Sequence, residues 1–288
     1  MIDFLRHTRL YFLLSAIVIV LGLFSMARWG FRYSIDFVGG TNQQLKVAPH
    51  INTSEIKKVF TDNGAEIVKL EKNDNNLLLR TKALDEKKEG AINRQLAVRF
   101  KNEVQIERSE TVGPVLGRET MIKTVTASVV AILGILIYMS FSFKSFHFAL
   151  AAILAMVHDF LVVIGTYSLF SHFLGAELDT LFVTAILTAM SFSVHDTIII
   201  FDKIREYRRL EGIADIERLV NRALTETLVR SLNNSMTIIF MLLALTLLGG
   251  STIRFFVATL LVGTVTGTYS SPFIAAPILV FLEKRKAR

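Results

Sequence analysis

Residues 178–201 read LDTLFVTAILTAMSFSVHDTIIIF, an apolar stretch that is interrupted by His195 and Asp196. A bilayer core about 30 Å thick is crossed by roughly 20 helical residues, so this stretch is long enough to span a membrane. Because a carboxylate inside a bilayer is costly, Asp196 marks a functional or a buried polar position. The stretch therefore predicts a transmembrane helix in which Asp196 has a functional or a structural role.

Five further stretches of the 288-residue chain have a similar composition. They are residues 10–27, 124–141, 146–169, 231–248 and 255–282. The first resembles a signal peptide, but its apolar run exceeds the usual length of about 7–15 residues, which favours a retained helix. Apolar residues make up 52% of the chain and charged residues 20%, which argues against a disordered or an ordinary soluble protein. The sequence thus predicts an α-helical polytopic membrane protein with six transmembrane helices.

Basic residues are distributed asymmetrically around the six predicted spans. One side has Arg6, Arg9, Lys144, the basic residues of 203–222 and those of 284–288, whereas the opposite short loops have only Arg254. The positive-inside rule makes the first side cytoplasmic and places both termini there. Residues 28–123, with more than half of the charged side chains, then lie outside. Their lysines and arginines alternate with acidic residues, which argues against a nucleic-acid-binding surface.

This charged region predicts a small α+β domain between the first two helices. The strand patterns occur at 42–47, 67–70, 77–81 and 104–107, with a hairpin turn at 73–76. Helical patterns follow Thr53 and Asp85, and either side chain can cap a helix N-terminus. The order strand, helix, strand, strand, helix, strand is typical of a ferredoxin-like sandwich.

The chain therefore divides into three predicted parts. They are residues 1–27 with the cytoplasmic N-terminus and first helix, 28–118 as the periplasmic domain, and 119–288 as a five-helix bundle with a cytoplasmic loop at 203–230 and a basic C-terminus. Within the loop, Asp215 can cap an amphipathic helix. Such a helix either lies along the membrane surface or packs as a linker, and the pattern is compatible with both.

Two helices carry polar side chains at helical spacing. The fourth has Thr184, Thr188, Ser191, His195 and Asp202 in one stripe, and the fifth has Arg230, Asn233, Asn234 and Thr237 on one face. Asp196 lies beside the first stripe, with Ser193 one turn earlier. Because polar faces are disfavoured in lipid, we expect these two faces to meet inside the bundle.

Asp196 and Arg230 form the predicted functional pair. Burial favours the protonated carboxyl and a nearby guanidinium favours the carboxylate, so a balanced pair can bind and release protons. The alternative is a static ion pair that fixes helix register. Asp159 in the third span also needs a polar partner. It is either a functional group or a buried polar residue with a structural role. His158 and His195 are weaker candidates, because each could be a hydrogen-bonded core histidine.

A divalent metal site was the third possibility for these residues. It would use His158, Asp159, His195 and Asp196. Neighbouring side chains on a helix point about 100° apart, so convergence of all four is awkward. The chain has no cysteine and its spans lack protease motifs, so thiolate ligands and intramembrane proteolysis are disfavoured. We predict no metal and no cofactor.

Four motifs resemble those of one membrane protein family. They are residues 35–41 (IDFVGGT), 112–117 (VGPVLG), 193–206 (SVHDTIIIFDKIRE) and 223–235 (ALTETLVRSLNNS). In order and spacing they are similar to the SecF proteins of the SecD/SecF family, which belongs to the resistance-nodulation-division superfamily. His195 departs from the family pattern, which often has asparagine there.

The resemblance implies a non-enzymatic subunit of the bacterial inner-membrane Sec machinery that is driven by the proton gradient. Its implied partners are SecD, the SecYEG channel, YajC and exported unfolded polypeptide. By motif position, Asp196 and Arg230 match the family's proton-coupling residues, and His195 and Asp159 are added here from their place in the spans.

A turn outside the first helix would couple these helices to the outer domain. It consists of Asp36, Gly39, Gly40 and Thr41, and its paired glycines permit tight backbone geometry. A purely structural strand entry is the alternative for this turn. For the whole chain, the alternatives are a non-catalytic scaffold that stabilises SecD and a proton-driven small-molecule exporter of the same superfamily.

Overall fold

A computed structural model of the chain describes residues 3–73, 76–101, 103–143, 145–212, 215–250 and 252–286. Lys144, Arg288 and the centre of the predicted turn at 73–76 lie outside these residues. The chain divides into two compact units, one made of Met1–Arg32 with Ala127–Arg288 and the other of Tyr33–Thr126.

Helices occur in both units. In chain order they are α1 Thr8–Arg28, α2 Ile35–Val38, α3 Thr53–Asp62, α4 Glu86–Arg99, α5 Pro114–Phe143, α6 Phe146–Phe173, α7 Thr180–Glu211, α8 Ile216–Leu248, α9 Arg254–Ser270, a π-helical turn at Ser271–Ala275, and α10 Ala276–Lys286. The strands are β1 Arg32–Tyr33, β2 Gly40–Val47, β3 Ile67–Asn73, β4 Asn76–Thr81, β5 Val104–Val112 and β6 Glu177–Leu178.

Six helical segments in the described part of the chain are long and apolar enough to cross a membrane, which confirms the six predicted spans. The last segment, Arg254–Arg285, runs through α9, the π-helical turn and α10. Pro272 lies in that turn and lacks the backbone N–H that an α-helix requires. A π-helical turn changes the hydrogen-bond spacing locally, so the helix continues through this proline.

The segment 203–230, predicted as a loop that carries a helix after Asp215, is helical over most of its length. Residues up to Glu211 extend α7, and α8 begins at Ile216 after Asp215, whose carboxylate accepts a hydrogen bond from the Glu217 N–H at 3.1 Å. The apolar face of this segment packs into the bundle core, with Leu219, Val220, Ala223 and Leu224 all buried. Burial of that face, which local sequence does not specify, favours the packed alternative over a separate surface helix.

Close helix packing in the larger unit depends on small residues. A Cβ atom at Gly22 of α1 would lie 2.7 Å from the Cα of Gly165 in α6. On α9, a Cβ at Gly263 would overlap Ala189 of α7, and one at Gly267 would lie 3.0 Å from the Cα of Ser193. The Gly263/Gly267 pattern thus brings α9 directly against α7, as expected for small residues at four-residue spacing in membrane helices.

Glu283 joins three helices at one end of the larger unit. Its side chain is 10% exposed, and it contacts His147 Nδ1 at 2.9 Å and Arg208 Nη1 at 3.1 Å. We expect Glu283→Gln to lower the free energy of unfolding by about 1–2 kcal/mol, because the partly buried guanidinium loses its charged partner. Thermal unfolding in detergent measures this.

Glu217→Gln is the matched control for that change. Glu217 and Lys284 form an ion pair at 2.5 Å in which both side chains are about half exposed. An exposed pair contributes at most about 1 kcal/mol. Equal losses of unfolding free energy in the two variants would show that the contacts of Glu283 do not stabilise the packing of the three helices.

The smaller unit is an α+β domain with a four-stranded antiparallel sheet. The order across the sheet is β3-β4-β2-β5, and the order along the chain is β2, α3, β3, β4, α4, β5. One side of the sheet and the two helices bury a core that includes Leu45, Ile56, Val59, Phe60, Leu77, Leu79, Ile92 and Leu96. The alternating burial of β4 follows from strand geometry, which sends successive side chains to opposite faces.

Polar side chains start both helices of this domain. Asp85 accepts from the Lys88 N–H at 2.7 Å, as predicted. The cap of α3 is Asn52 instead of Thr53, and it accepts from the Ser54 N–H at 2.9 Å. Asn52 takes the extended backbone conformation of an N-cap, so the helix begins one residue earlier than predicted.

Candidate functional site

Asp196 lies on α7 with only 7% of its surface exposed. Its Oδ2 accepts a hydrogen bond from the Ser231 hydroxyl of α8 at 3.2 Å. Beside it is a cavity of about 10 Å³, about the room that one water centre requires. The polar residues lining this cavity are His195, Asp196, Asn234, Ser235, Thr264 and Thr268. A single water there would have enough polar partners to be held.

Arg230 does not pair with Asp196 in this structure. Its side chain is exposed, and among the described residues it forms no ion pair or side-chain hydrogen bond. Ser231 contacts the carboxylate instead, and because successive helical residues point about 100° apart, Arg230 is turned away. The predicted pair is therefore replaced by a serine contact. The serine contact could have been found in the sequence from the spacing of Ser231, Asn234 and Ser235, which share one face of α8.

The two polar faces also differ from the prediction. Thr184, Thr188, Ser191 and His195 on α7 are exposed, as are Arg230, Asn233, Asn234 and Thr237 on α8. The threonine hydroxyls donate to carbonyls in their own helices, for example Thr188 to Thr184 at 2.8 Å, so they need no partner from another helix. The face that α7 buries carries small side chains such as Ala185 and Ala189, because small residues allow the closest helix contact.

Asp159 of α6 forms a second buried polar site, with 3% of its surface exposed. Its Oδ2 accepts hydrogen bonds from the hydroxyls of Ser193 on α7 and Ser270 on α9, the latter at 2.6 Å. Its Oδ1 lies 2.8 Å from Nδ1 of His158. Three helices thus meet at this carboxylate. Ser270 was missed because nothing in its local sequence distinguishes it from a packing residue.

The four residues weighed for a metal do not come together. Asp196 faces α8, Asp159 faces Ser193 and Ser270, and His195 is exposed. In the ranges that the structure describes, no group of three or more histidine, aspartate or glutamate side chains is placed to hold a metal ion.

The predicted coupling turn lies in the smaller unit and is tightly packed. Gly39 has a φ of +77°, and a Cβ there would lie 2.8 Å from the Cα of Pro114, the first residue of α5. Thr41 Oγ1 accepts from the Leu84 N–H at 2.9 Å and lies 2.9 Å from Thr111 Oγ1. Asp36 is in the first turn of α2. The turn is therefore held against the start of α5.

Comparison with known proteins gives a consistent result. Residues 92–285 match the family model for the protein export membrane protein SecD/SecF, C-terminal. The protein translocase subunit SecF of Thermobaculum terrenum is 38% identical over 99% of this chain and 95% of its own length. The SecF subunit of Anaerolinea thermophila is 37% identical over 100% of this chain and 96% of its own.

A solved structure has the same fold. The crystal structure of SecDF from Thermus thermophilus, described as a translocon-associated membrane protein, is 32% identical with a TM-score of 0.85. It covers 99% of this chain, whereas this chain spans 39% of that longer one. The chain therefore belongs to the SecD/SecF family of protein export membrane proteins and is a multi-pass subunit of the protein translocase.

Proposed function

We propose that this subunit uses the proton gradient to promote late translocation and release of exported polypeptide. The observation that carries the proposal is Asp196, a buried carboxyl in a membrane helix that touches a serine hydroxyl and a water-sized polar cavity. Buried ionisable groups in membrane helices mark proton and ion pathways. The family identity favours protein as the cargo over a small molecule.

Arg230 and Ser231 suggest how a proton changes the bundle. When Asp196 is protonated, the Ser231 hydroxyl is a sufficient partner; when it is ionised, the neighbouring Arg230 is the better one. A rotation of α8 by about one residue, roughly 100°, exchanges them. One charge moved across 100 mV contributes about 2.3 kcal/mol, which shifts a two-state equilibrium by more than tenfold. His195 lines the cavity, and we assign it to the access route of the proton.

We place the chain in the bacterial inner membrane with both termini cytoplasmic and the α+β domain periplasmic. The positive-inside rule supports this orientation. The strand order β3-β4-β2-β5 supports a ferredoxin-like domain. The glycine turn, packed on Pro114 at the start of α5, is suited to couple that domain to the helices through Asp36, Gly39, Gly40 and Thr41.

SecD is the proposed direct partner, with the SecYEG channel, YajC and exported unfolded polypeptide as further ones. Two features support SecD. The exposed polar faces of α7 and α8 are unfavourable against lipid, so a second membrane bundle should cover them. In addition, the related SecDF chain is more than twice as long as this one and continues beyond the matched part.

Asp196→Asn tests the proposal. We expect the proton-gradient-dependent part of polypeptide release to fall at least tenfold in membrane vesicles, because asparagine cannot bind and release a proton. The measurement times the release of a secreted protein with and without the gradient. Membrane level and co-purification with the partner are confirmed first.

Asp202→Asn is the matched control. Asp202 lies on the same helix, but its side chain is 60% exposed and pairs with Arg205 at 3.1 Å. Release should keep its gradient dependence in this variant. If Asp196→Asn also keeps it, the proton-driven role fails and the non-catalytic scaffold becomes the better function.

A further inference from the structure

His158 has one buried nitrogen without a hydrogen-bond partner. The side chain is 9% exposed, and Nδ1 lies 2.8 Å from Asp159 Oδ1. The other nitrogen, Nε2, is fully buried and meets no donor or acceptor among the described residues. An unpaired polar atom of this kind in a membrane bundle is costly, so it points to a role that packing does not supply.

The bonds at Asp159 indicate which nitrogen carries a proton. Two serine hydroxyls donate to Oδ2, from Ser193 and Ser270, as suits an ionised carboxylate, which only accepts. Oδ1 then accepts from the Nδ1–H of His158. A neutral imidazole carries one proton, so Nε2 has a free lone pair. The pair therefore presents a base with its proton-accepting atom unoccupied.

The groups around Asp159 determine how its charge is balanced. Tyr269 of α9 is a titratable side chain beside the pair, and its hydroxyl donates to the backbone carbonyl of Tyr11 in α1 at 2.9 Å. The Tyr269 ring centroid lies 6.5 Å from that of His158. Asp196 of α7 faces α8. No lysine or arginine among the described residues bonds to the carboxylate. A proton on Nε2 would leave the pair without net charge.

The helices that hold Asp159 are also those around Asp196. Ser193 lies one turn before Asp196 on α7, and Ser270 directly precedes the π-helical turn. Thr197 of α7 and Ser271 of that turn are joined by hydroxyls 2.9 Å apart. A change of charge at His158 and Asp159 therefore acts on the packing between α7 and α9.

We infer that His158 is a second intramembrane proton-binding site, which takes up its proton at Nε2 while Nδ1–H stays bonded to Asp159. Ser193 and Ser270 are positioning residues that hold Asp159 as the carboxylate. The inference rests on the proposed proton-driven function for its role in transport, but proton binding at Nε2 is measurable without transport.

Histidine-selective ¹⁵N NMR of the full chain with its co-expressed partner in nanodiscs tests the site directly. The chain has six histidines, so His158→Asn identifies the resonances of His158 by their disappearance. We expect Nδ1 to carry a proton throughout and Nε2 to gain one reversibly as the pH is lowered from about 9 to about 4. An Nε2 that stays unprotonated from pH 4 to 9, or a proton on Nε2 in place of Nδ1, overturns the inference.

His158→Asn also tests the role in release. The asparagine amide can still donate to Asp159 from about the position of Nδ1, but it offers no base at the position of Nε2. We expect at least a tenfold loss of gradient-dependent release at a normal membrane level. His50→Asn, which changes a histidine of the smaller unit that is 69% exposed, should have no effect.

The two proposals fail in different ways. In one outcome, Asp196→Asn removes the gradient dependence of release, His158→Asn does not, and Nε2 of His158 takes up no proton. The inference about His158 is then wrong, and the proposed function stands. If Asp196→Asn leaves release unchanged, the proposed function is wrong, and the NMR titration still decides whether His158 binds a proton.

Discussion

Replacement of Gly263 by leucine should leave little folded protein in the membrane. A Cβ at this position would overlap Ala189 of α7 and lie 3.7 Å from a methyl group of Val163 on α6. Both neighbours are 3% exposed, so neither can move aside without displacing its helix. Overpacking a core costs about 1–3 kcal/mol, and more when backbones must separate. Membrane level and the thermal unfolding midpoint in detergent measure the loss.

Gly134→Leu on α5 is the control for that substitution. Gly134 is exposed, and a Cβ added there meets no atom within 4 Å. The same side-chain change should therefore leave the level and the midpoint near those of the unmodified protein. Similar losses in both variants would mean that leucine harms these helices for a reason other than contact between α7 and α9.

The second large effect is expected for Gly39→Ala in the smaller unit. The φ of +77° disfavours any side chain, and the new Cβ would lie 2.8 Å from Pro114 Cα and 3.2 Å from the Val112 carbonyl oxygen. Strain and collision together should lower the stability of the domain by about 3 kcal/mol or more. Hydrogen exchange of the strand amides in the intact protein measures this loss.

Gly64→Ala separates the two causes. Gly64 has a similar φ of +72°, but no atom lies within 4 Å of an added Cβ. It should cost only about 1 kcal/mol, from backbone strain alone. If the two variants exchange at equal rates, the contact between the turn and α5 contributes nothing, and the turn is unsuited to couple the domain to the helices.

The elements of this protein follow closely from local sequence. Six apolar stretches became six helices because the length needed to cross a bilayer is a property of the stretch itself. The α+β domain formed its strands and helices where alternation and periodicity predicted them, and Asp85 and Asp215 cap helices because a cap acts on the next few residues. In the segment 203–230, the helix after Asp215 follows the local pattern, whereas the burial of its apolar face in the core depends on tertiary packing.

Part of the site was also visible in the sequence. Asp196 and Asp159 stood out because a carboxylate in a membrane helix is energetically costly, so it marks a functional or a paired position. Their partners did not stand out, since serines such as Ser231 and Ser270 are common in helices and carry no charge. Arg230, next to Ser231, is the more conspicuous residue in the sequence because it carries a charge.

The amino-acid sequence by itself determined the spans, the positions of the polar residues along each helix and the positions of the buried carboxylates, because these depend on neighbouring residues. Tertiary structure alone decided the rotation of each helix. Contact between Gly263 and Ala189 sets how α7 faces α9, and that rotation brings Ser193 to Asp159 while leaving Thr188 outside. Rotation follows from close packing between residues far apart in the chain, which no local pattern encodes.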